Sequence, residues 1–124
     1  MRTGIVIFGH GSSVASANEA VARVAAEAAL AGGFALYETA FLEVSPTLPE
    51  ATAKLVGRGA REILVIPYFL TLGIHLQRDL PRIIEELCTE FEGLHMRVTP
   101  PLDGHPALSG IIVDRAREAM AAVV

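Results

Sequence analysis

The sequence predicts an α/β fold: a four-stranded parallel sheet in the order 2-1-3-4, with helices on both faces. Three observations lead there. Two short apolar runs, Gly4 to Gly9 and Glu62 to Leu70, read as buried strands. Amphipathic helical segments alternate with strand segments along the chain, giving β-α-β-α-β-α-β-α. Right-handed crossovers then leave few topologies, and the order 2-1-3-4 makes the first and third strands neighbours where the chain reverses direction across the sheet.

After the first strand, Ser16-Ala17-Asn18-Glu19 has capping-box spacing and predicts an Ala-rich helix to about Ala31. Val21, Val24, Ala25 and Ala28 form its inward stripe, and Gly32-Gly33 ends it. Phe34 to Glu43 reads as the second strand. Thr47-Leu48-Pro49-Glu50 is a second capping box, opening a helix that Gly57 and Gly59 close. The third strand follows. The loop from Thr71 to Arg78 is long enough to fold over a ligand, and Asp79 is the expected N-cap of the next helix, with Pro81 in its first turn. Leu80, Ile83, Ile84, Leu87, Cys88 and Phe91 recur there at helical spacing. A short strand, Leu94 to Thr99, leads through Pro100-Pro101 to a last helix begun by Pro106. Leu108, Ile111, Ile112, Ala116, Ala119, Met120 and Val123 are its expected buried face.

The 124 residues fall within the range of one domain, residues 1–124, with no linker, repeat or low-complexity segment to divide them. Hydrophobic residues make up 52% and aromatics 6%, so the core is expected to be aliphatic. Net charge is −4, and the basic residues are scattered, nearly all Arg with Lys54 the single lysine, which argues against a nucleic-acid partner. Arg2, Glu62 and Arg78 interrupt or bracket the apolar stretches, so no membrane span is expected, and the N-terminus lacks the order of a signal peptide. Cys88 is the single cysteine; an internal disulfide is impossible and a reducing, cytoplasmic setting is expected.

Two histidines stand out, because His10 and His75 each follow one of the two apolar strands. In the order 2-1-3-4 those strands are adjacent, and ligands bind outside the carboxyl ends of such sheets at the reversal point. Neutral imidazole ligates divalent transition metals or accepts a proton near neutral pH. Glu43 ends the second strand at the same edge, so His10, His75 and Glu43 are candidates for one site with open coordination positions. Each has a plainer reading: a loop histidine that only hydrogen-bonds, or a glutamate that caps the following helix. His105 belongs by position to the start of the last helix, and His95 to an exposed edge. Phe69 and Leu70, with Leu72, could wall a flat apolar ligand or belong to the core.

Several stretches together resemble the class II chelatases, most closely the short sirohydrochlorin chelatases of the CbiX/SirB kind. They are Phe8-Gly9-His10-Gly11-Ser12, Asn18, Phe41-Leu42-Glu43 with Ser45-Pro46-Thr47-Leu48-Pro49-Glu50-Ala51, Ile66-Pro67-Tyr68-Phe69-Leu70, Gly73-Ile74-His75, Asp79-Leu80-Pro81, and Pro101 through Leu108. The resemblance covers nearly the whole chain. It implies a flavodoxin-like chelatase half-domain that pairs as a homodimer, with the cleft between subunits. It also implies insertion of a divalent metal, Co²⁺ or alternatively Fe²⁺ or Ni²⁺, into a tetrapyrrole of the cobalamin or sirohaem type, without a nucleotide. His10 and His75 match metal-site positions of the family, and Glu43 matches an acidic position tied to metal or proton handling. Ser13 stands where the family often has an arginine, which leaves Arg78 or another residue to grip ring carboxylates. Backbone N–H groups of Gly11, Ser12 and Ser13 are further candidates for those acidic substituents, and Phe69, Leu70 and Gly73 for the ring. Two other readings remain: a non-catalytic metal or tetrapyrrole carrier on the same fold, and a histidine-dependent phosphatase, whose motif has an arginine where Gly9 stands here.

Overall fold

The computed structural model describes residues 2–122. Its elements run β1 (Thr3–Gly9), α1 (Ala15–Gly32), β2 (Tyr37–Phe41), α2 (Leu48–Gly57), β3 (Glu62–Pro67), α3 (Ile74–Glu90), β4 (His95–Val98) and α4 (Ala107–Ala121). The four strands pair in parallel in the order β2-β1-β3-β4, as the alternation of periods predicts. Ile5 lies opposite Tyr37 on one side and Leu64 on the other, so side chains of matching parity share a face.

The reversal at β1 decides where the helices go. A right-handed crossover to β2 puts α1 on one face, and the two crossovers in the other direction put α2 and α3 on the opposite face. The α2/α3 face holds the larger core: Val6 and Phe8 of β1 with Ile63 and Val65 of β3, closed by Leu55, Leu80 and Leu87. The α1 face is thinner, with Ile5, Ile7 and Ala25 buried and Leu64 and Ile66 half-buried.

Local chemistry explains two helix ends directly. Thr47 and Glu50 form the reciprocal capping box expected at α2, Thr47 Oγ1 accepting from the Glu50 N–H and Glu50 Oε1 accepting from the Thr47 N–H. Gly33 closes α1 at φ 69°, in the left-handed region that favours glycine.

Four expectations need correction. The Ser16–Glu19 capping box does not form: α1 starts after Val14 with no side-chain cap, so Ser16 is already its second residue and not the residue before it. Strands β2 and β3 are shorter than expected, ending at Phe41 and Pro67, where the chain turns towards the carboxyl edge. Helix α3 starts at Gly73 rather than Asp79, so most of the expected loop from Thr71 to Arg78 is helical and Pro81 lies inside the helix. Proline removes the N–H that would bond the Gln77 carbonyl, at a point where Gln77, Arg78 and Pro81 are all exposed. Finally, α4 has no buried residue: Ile111 is 50% exposed and Ile112 70%. Val123, also assigned to that face, lies outside the described residues.

Candidate active site

The carboxyl ends of β1, β2 and β3 meet at one edge of the sheet. The backbone keeps strand-like bonding past β2, with the Leu42 N–H donating to Gly9 O and the Glu43 N–H to His10 O, so the two loops are zipped together. Gly11 takes φ 90°, and a Cβ there would lie 3.0 Å from Phe41 Cβ and from Val44 Cγ2. Glycine lets the His10 loop turn against β2. The loop is tied down again by Asn18, whose amide bonds the Ser12 N–H at 2.9 Å and the Ser12 carbonyl at 2.8 Å.

His10 and His75 line the same cavity of about 370 Å³, which is predominantly apolar. Leu42, Phe69 and Ile74 form apolar walls, and Gly73, Asp79 and Arg82 also line it. The His10 and Phe69 rings meet edge-on with centroids 6.4 Å apart, and Phe69 in turn packs on Phe8 of the core. Other cavities at the opposite end of the sheet, around Phe34, are comparably large, but they contain none of the histidines or carboxylates that chemistry at this edge would use.

The two imidazoles are prepared differently. His10 Nδ1 lies 3.1 Å from the Gly11 carbonyl, which can only accept, so Nδ1 carries the proton and donates. In neutral His10 the lone pair is then on Nε2, which faces Glu43 Oε1 at 4.0 Å. His75 Nδ1 lies 2.9 Å from Arg78 Nη2. Guanidinium only donates, so here Nδ1 is the acceptor and the neutral ring carries its proton on Nε2. His75 is in the first turn of α3, and Arg78 follows it by three residues on the same face. Asp79 lies 3.8 Å from Arg78 and 3.5 Å from Arg82, holding both guanidinium groups near the mouth.

The remaining candidates divide. Phe69 and Gly73 line the cavity with the histidines; Leu70 is 64% exposed outside its lining. Gly11, Ser12 and Ser13 stay in the His10 loop, where the Ser12 hydroxyl accepts from the Val14 N–H. Glu43 approaches His10, yet among the described residues no group of three or more His, Cys, Asp or Glu is close enough together to hold a metal ion. His10, His75 and Glu43 therefore do not form a three-ligand cage within the described protomer. His105 caps α4 through Nδ1, which accepts from the Ala107 N–H at 3.0 Å, and His95 is exposed at the start of β4. Arg82, Leu42, Ile74 and Asp79 line the cavity although none of them was among the site residues expected from the sequence. The apolar stripe of α3 could have found the three on that helix, because Leu76 continues the Leu80–Ile83–Leu87 spacing one turn earlier and brings the helix start to the site.

The CbiX family model matches residues 4–119. The chain belongs to the CbiX family. The sirohydrochlorin cobaltochelatase of Methanococcoides burtonii is 32% identical over 96% of this chain and 98% of its own length. The chloroplastic sirohydrochlorin ferrochelatase of Arabidopsis thaliana is 29% identical over 97% of this chain but only 54% of its own length. The chain also spans 57% of the sirohydrochlorin cobaltochelatase of Methanocaldococcus jannaschii, at 37% identity over 64% of this chain. Among solved structures, a cobalamin (vitamin B12) biosynthesis CbiX protein from Marinobacter aquaeolei VT8 superposes with a TM-score of 0.84 at 29% identity, covering 98% of this chain and 99% of that one. This CbiX-family chain thus shares its fold with relatives of its own length and aligns to about half of longer ones. No helix among the described residues is long and apolar enough to cross a membrane.

Proposed function

We propose that this chain is a sirohydrochlorin chelatase that inserts a divalent metal, cobalt first and iron or nickel as alternatives, into sirohydrochlorin or a closely related tetrapyrrole. The observation that carries the reading is the shared cavity: two imidazoles and an aromatic ring around an apolar hollow at the sheet's reversal point. The names of the relatives support the substrate, and they divide between cobalt and iron. Cobalt is the choice because relatives that match nearly end to end carry that name.

The reaction exchanges one metal ion for two pyrrole protons and needs neither a redox step nor a nucleotide. His10 has its Nε2 lone pair directed towards Glu43 and free of other partners, so it is the ready ligand or base. A nitrogen that holds the ion cannot take a proton, so the tasks are divided: one imidazole holds the ion while the other, with Glu43, accepts protons. Having few protein ligands suits a metal that must be given up to four ring nitrogens. Phe69, Leu42 and Ile74 face the ring, and Arg78 and Arg82 meet its carboxylates, a task that Ser13 cannot perform. Backbone N–H groups around Gly11 to Ser13 assist at the first loop. A hollow of about 370 Å³ is one wall of a cleft for so large a ligand. A homodimer supplies the second wall, and the cytoplasm is the expected compartment.

The test is Co²⁺ insertion into sirohydrochlorin followed by absorbance. His10→Ala is expected to lower the rate at least a hundredfold and His75→Ala about as much, from the 10²- to 10⁴-fold range of general acid–base groups. Undiminished rates in both variants would reject the centre. Stoichiometric Co²⁺ binding by the wild type without metallation above background would make it a carrier.

A further inference from the structure

We propose that Arg78 is a positioning residue that keeps His75 closed to the metal until a carboxylate of the tetrapyrrole draws the guanidinium away. The inference rests on the chelatase reading above and adds an order to it, ring first and ion second. Both nitrogens of the resting His75 ring are closed. Nδ1 accepts from Arg78 Nη2 at 2.9 Å, and in the neutral ring the proton is then on Nε2. His10 differs, because its Nδ1 donates to the Gly11 carbonyl and leaves the Nε2 lone pair open. One imidazole of the pair is ready at rest, and the other is held in reserve.

The lock is built so that a carboxylate opens it. Arg78 follows His75 by three residues on the same face of α3, with its side chain 69% exposed. It reaches the cavity through two residues that line it, His75 and Asp79. Guanidinium takes a carboxylate in two parallel bonds along either of two edges, Nη1 with Nη2 or Nε with Nη2. Both edges include the nitrogen that holds His75, so a bound carboxylate competes with the imidazole for Nη2. Two bonds between opposite charges replace one bond to a neutral ring, and the carboxylate prevails. Asp79 meets Nε at 3.8 Å, an ion-pair distance too long for a hydrogen bond, and so leaves the lock shut.

Release acts on the metal in two ways. The Nδ1 lone pair of His75 is freed while the ring proton stays on Nε2, so the imidazole opens without losing a proton. The carboxylate also neutralises the guanidinium, removing the repulsion that an unpaired Arg78 exerts on a divalent ion. Ring and ion then each strengthen the binding of the other by the same factor. Arg82 provides the contrast: it shares Asp79 and lines the same cavity, but the bond to His75 belongs to Arg78.

NMR of protein with isotope-labelled histidine nitrogens reads the contact without metal and without turnover. Saturating metal-free sirohydrochlorin, its binding followed by absorbance, is expected to move the wild-type His75 Nδ1 resonance to its position in ring-free Arg78→Ala. In Arg78→Ala the resonance should start there and move far less. Arg82→Ala, which loses a carboxylate partner but keeps the lock, should behave as wild type. The second arm measures Co²⁺. Without the ring, Arg78→Ala is expected to bind the ion about fourfold tighter than wild type. With the ring saturating, the KM values for Co²⁺ of the two proteins should agree within about twofold. A wild-type resonance that stays put under saturating ring, or moves as far in Arg78→Ala, overturns the coupling and leaves the chelatase reading standing. A KM for Co²⁺ still about fourfold lower in Arg78→Ala under saturating ring does the same. Sirohydrochlorin that fails to bind the wild type overturns both.

Discussion

Arg78→Ala is expected to tighten Co²⁺ binding while impairing turnover. In the resting site, Arg78 donates to His75 Nδ1 at 2.9 Å. A metal arriving at Nδ1 must displace the guanidinium. A metal arriving at Nε2 requires the ring proton to move to Nδ1, where two donors would face each other. Either route costs the contact, and a displaced guanidinium still repels the ion. For a divalent ion and a unit charge about 5 Å apart in water the repulsion is about 1.7 kcal/mol. Salt screening and the exposure of both side chains reduce this by roughly half. Removing Arg78 should therefore lower the Co²⁺ dissociation constant about fourfold, rising to about tenfold or more in dilute buffer. Titration calorimetry at two ionic strengths reads this directly, with His75→Ala/Arg78→Ala as control. In the insertion assay the same variant should show a raised KM for the tetrapyrrole, because a carboxylate partner is gone. The reasoning is refuted if Arg78→Ala binds Co²⁺ no better than wild type, or if the gain persists without His75.

Two further outcomes follow from the loops that position the site. Gly11→Ala places a Cβ 3.0 Å from Phe41 and Val44 at a φ of 90°, and should cost about 1–3 kcal/mol, read as a lowered Tm. Glu50 has its carboxyl held below the ordinary value of 4.5, first by the Thr47 N–H and then by the Ser45 hydroxyl. Because the folded value is the lower one, this stabilisation is complete above 4.5 and is lost as pH falls below it towards the depressed value. Glu50→Gln should lower stability at neutral pH, where the carboxylate's contribution is complete, and change it little at acid pH, so the acid limb of a stability-versus-pH curve measured by denaturant unfolding becomes flatter.

The sheet order was legible because strand runs and helical stripes alternate cleanly and crossover handedness removes the rival topologies. The placement of His10 and His75 at one edge followed from that order alone. Several local details were not legible, each because a nearby partner overrode a sequence signal. Helix α1 begins at Ala15, ahead of the expected cap Ser16, where Asn18 ties its first turn to the backbone of Ser12. Gly73 caps α3 without a side-chain acceptor, which left Asp79 as the more conspicuous signal. Pro81 suggested a first turn because proline is commonest there, although an exposed carbonyl makes it tolerable further in. For α4 the apolar spacing suggested a buried face, yet none of its described residues is buried, because spacing reports which side is apolar and not whether anything covers it. The tautomers of the two histidines depend on Gly11 O and on Arg78, contacts that spacing does not reveal.

The two backbone bonds from Leu102 and Asp103 to Phe69 and Leu70 fasten the root of α4 to the aromatic side of the candidate hollow. These two segments, about thirty residues apart in sequence, are thereby joined backbone to backbone, so the entry to α4 and the wall that carries Phe69 beside His10 share one anchorage.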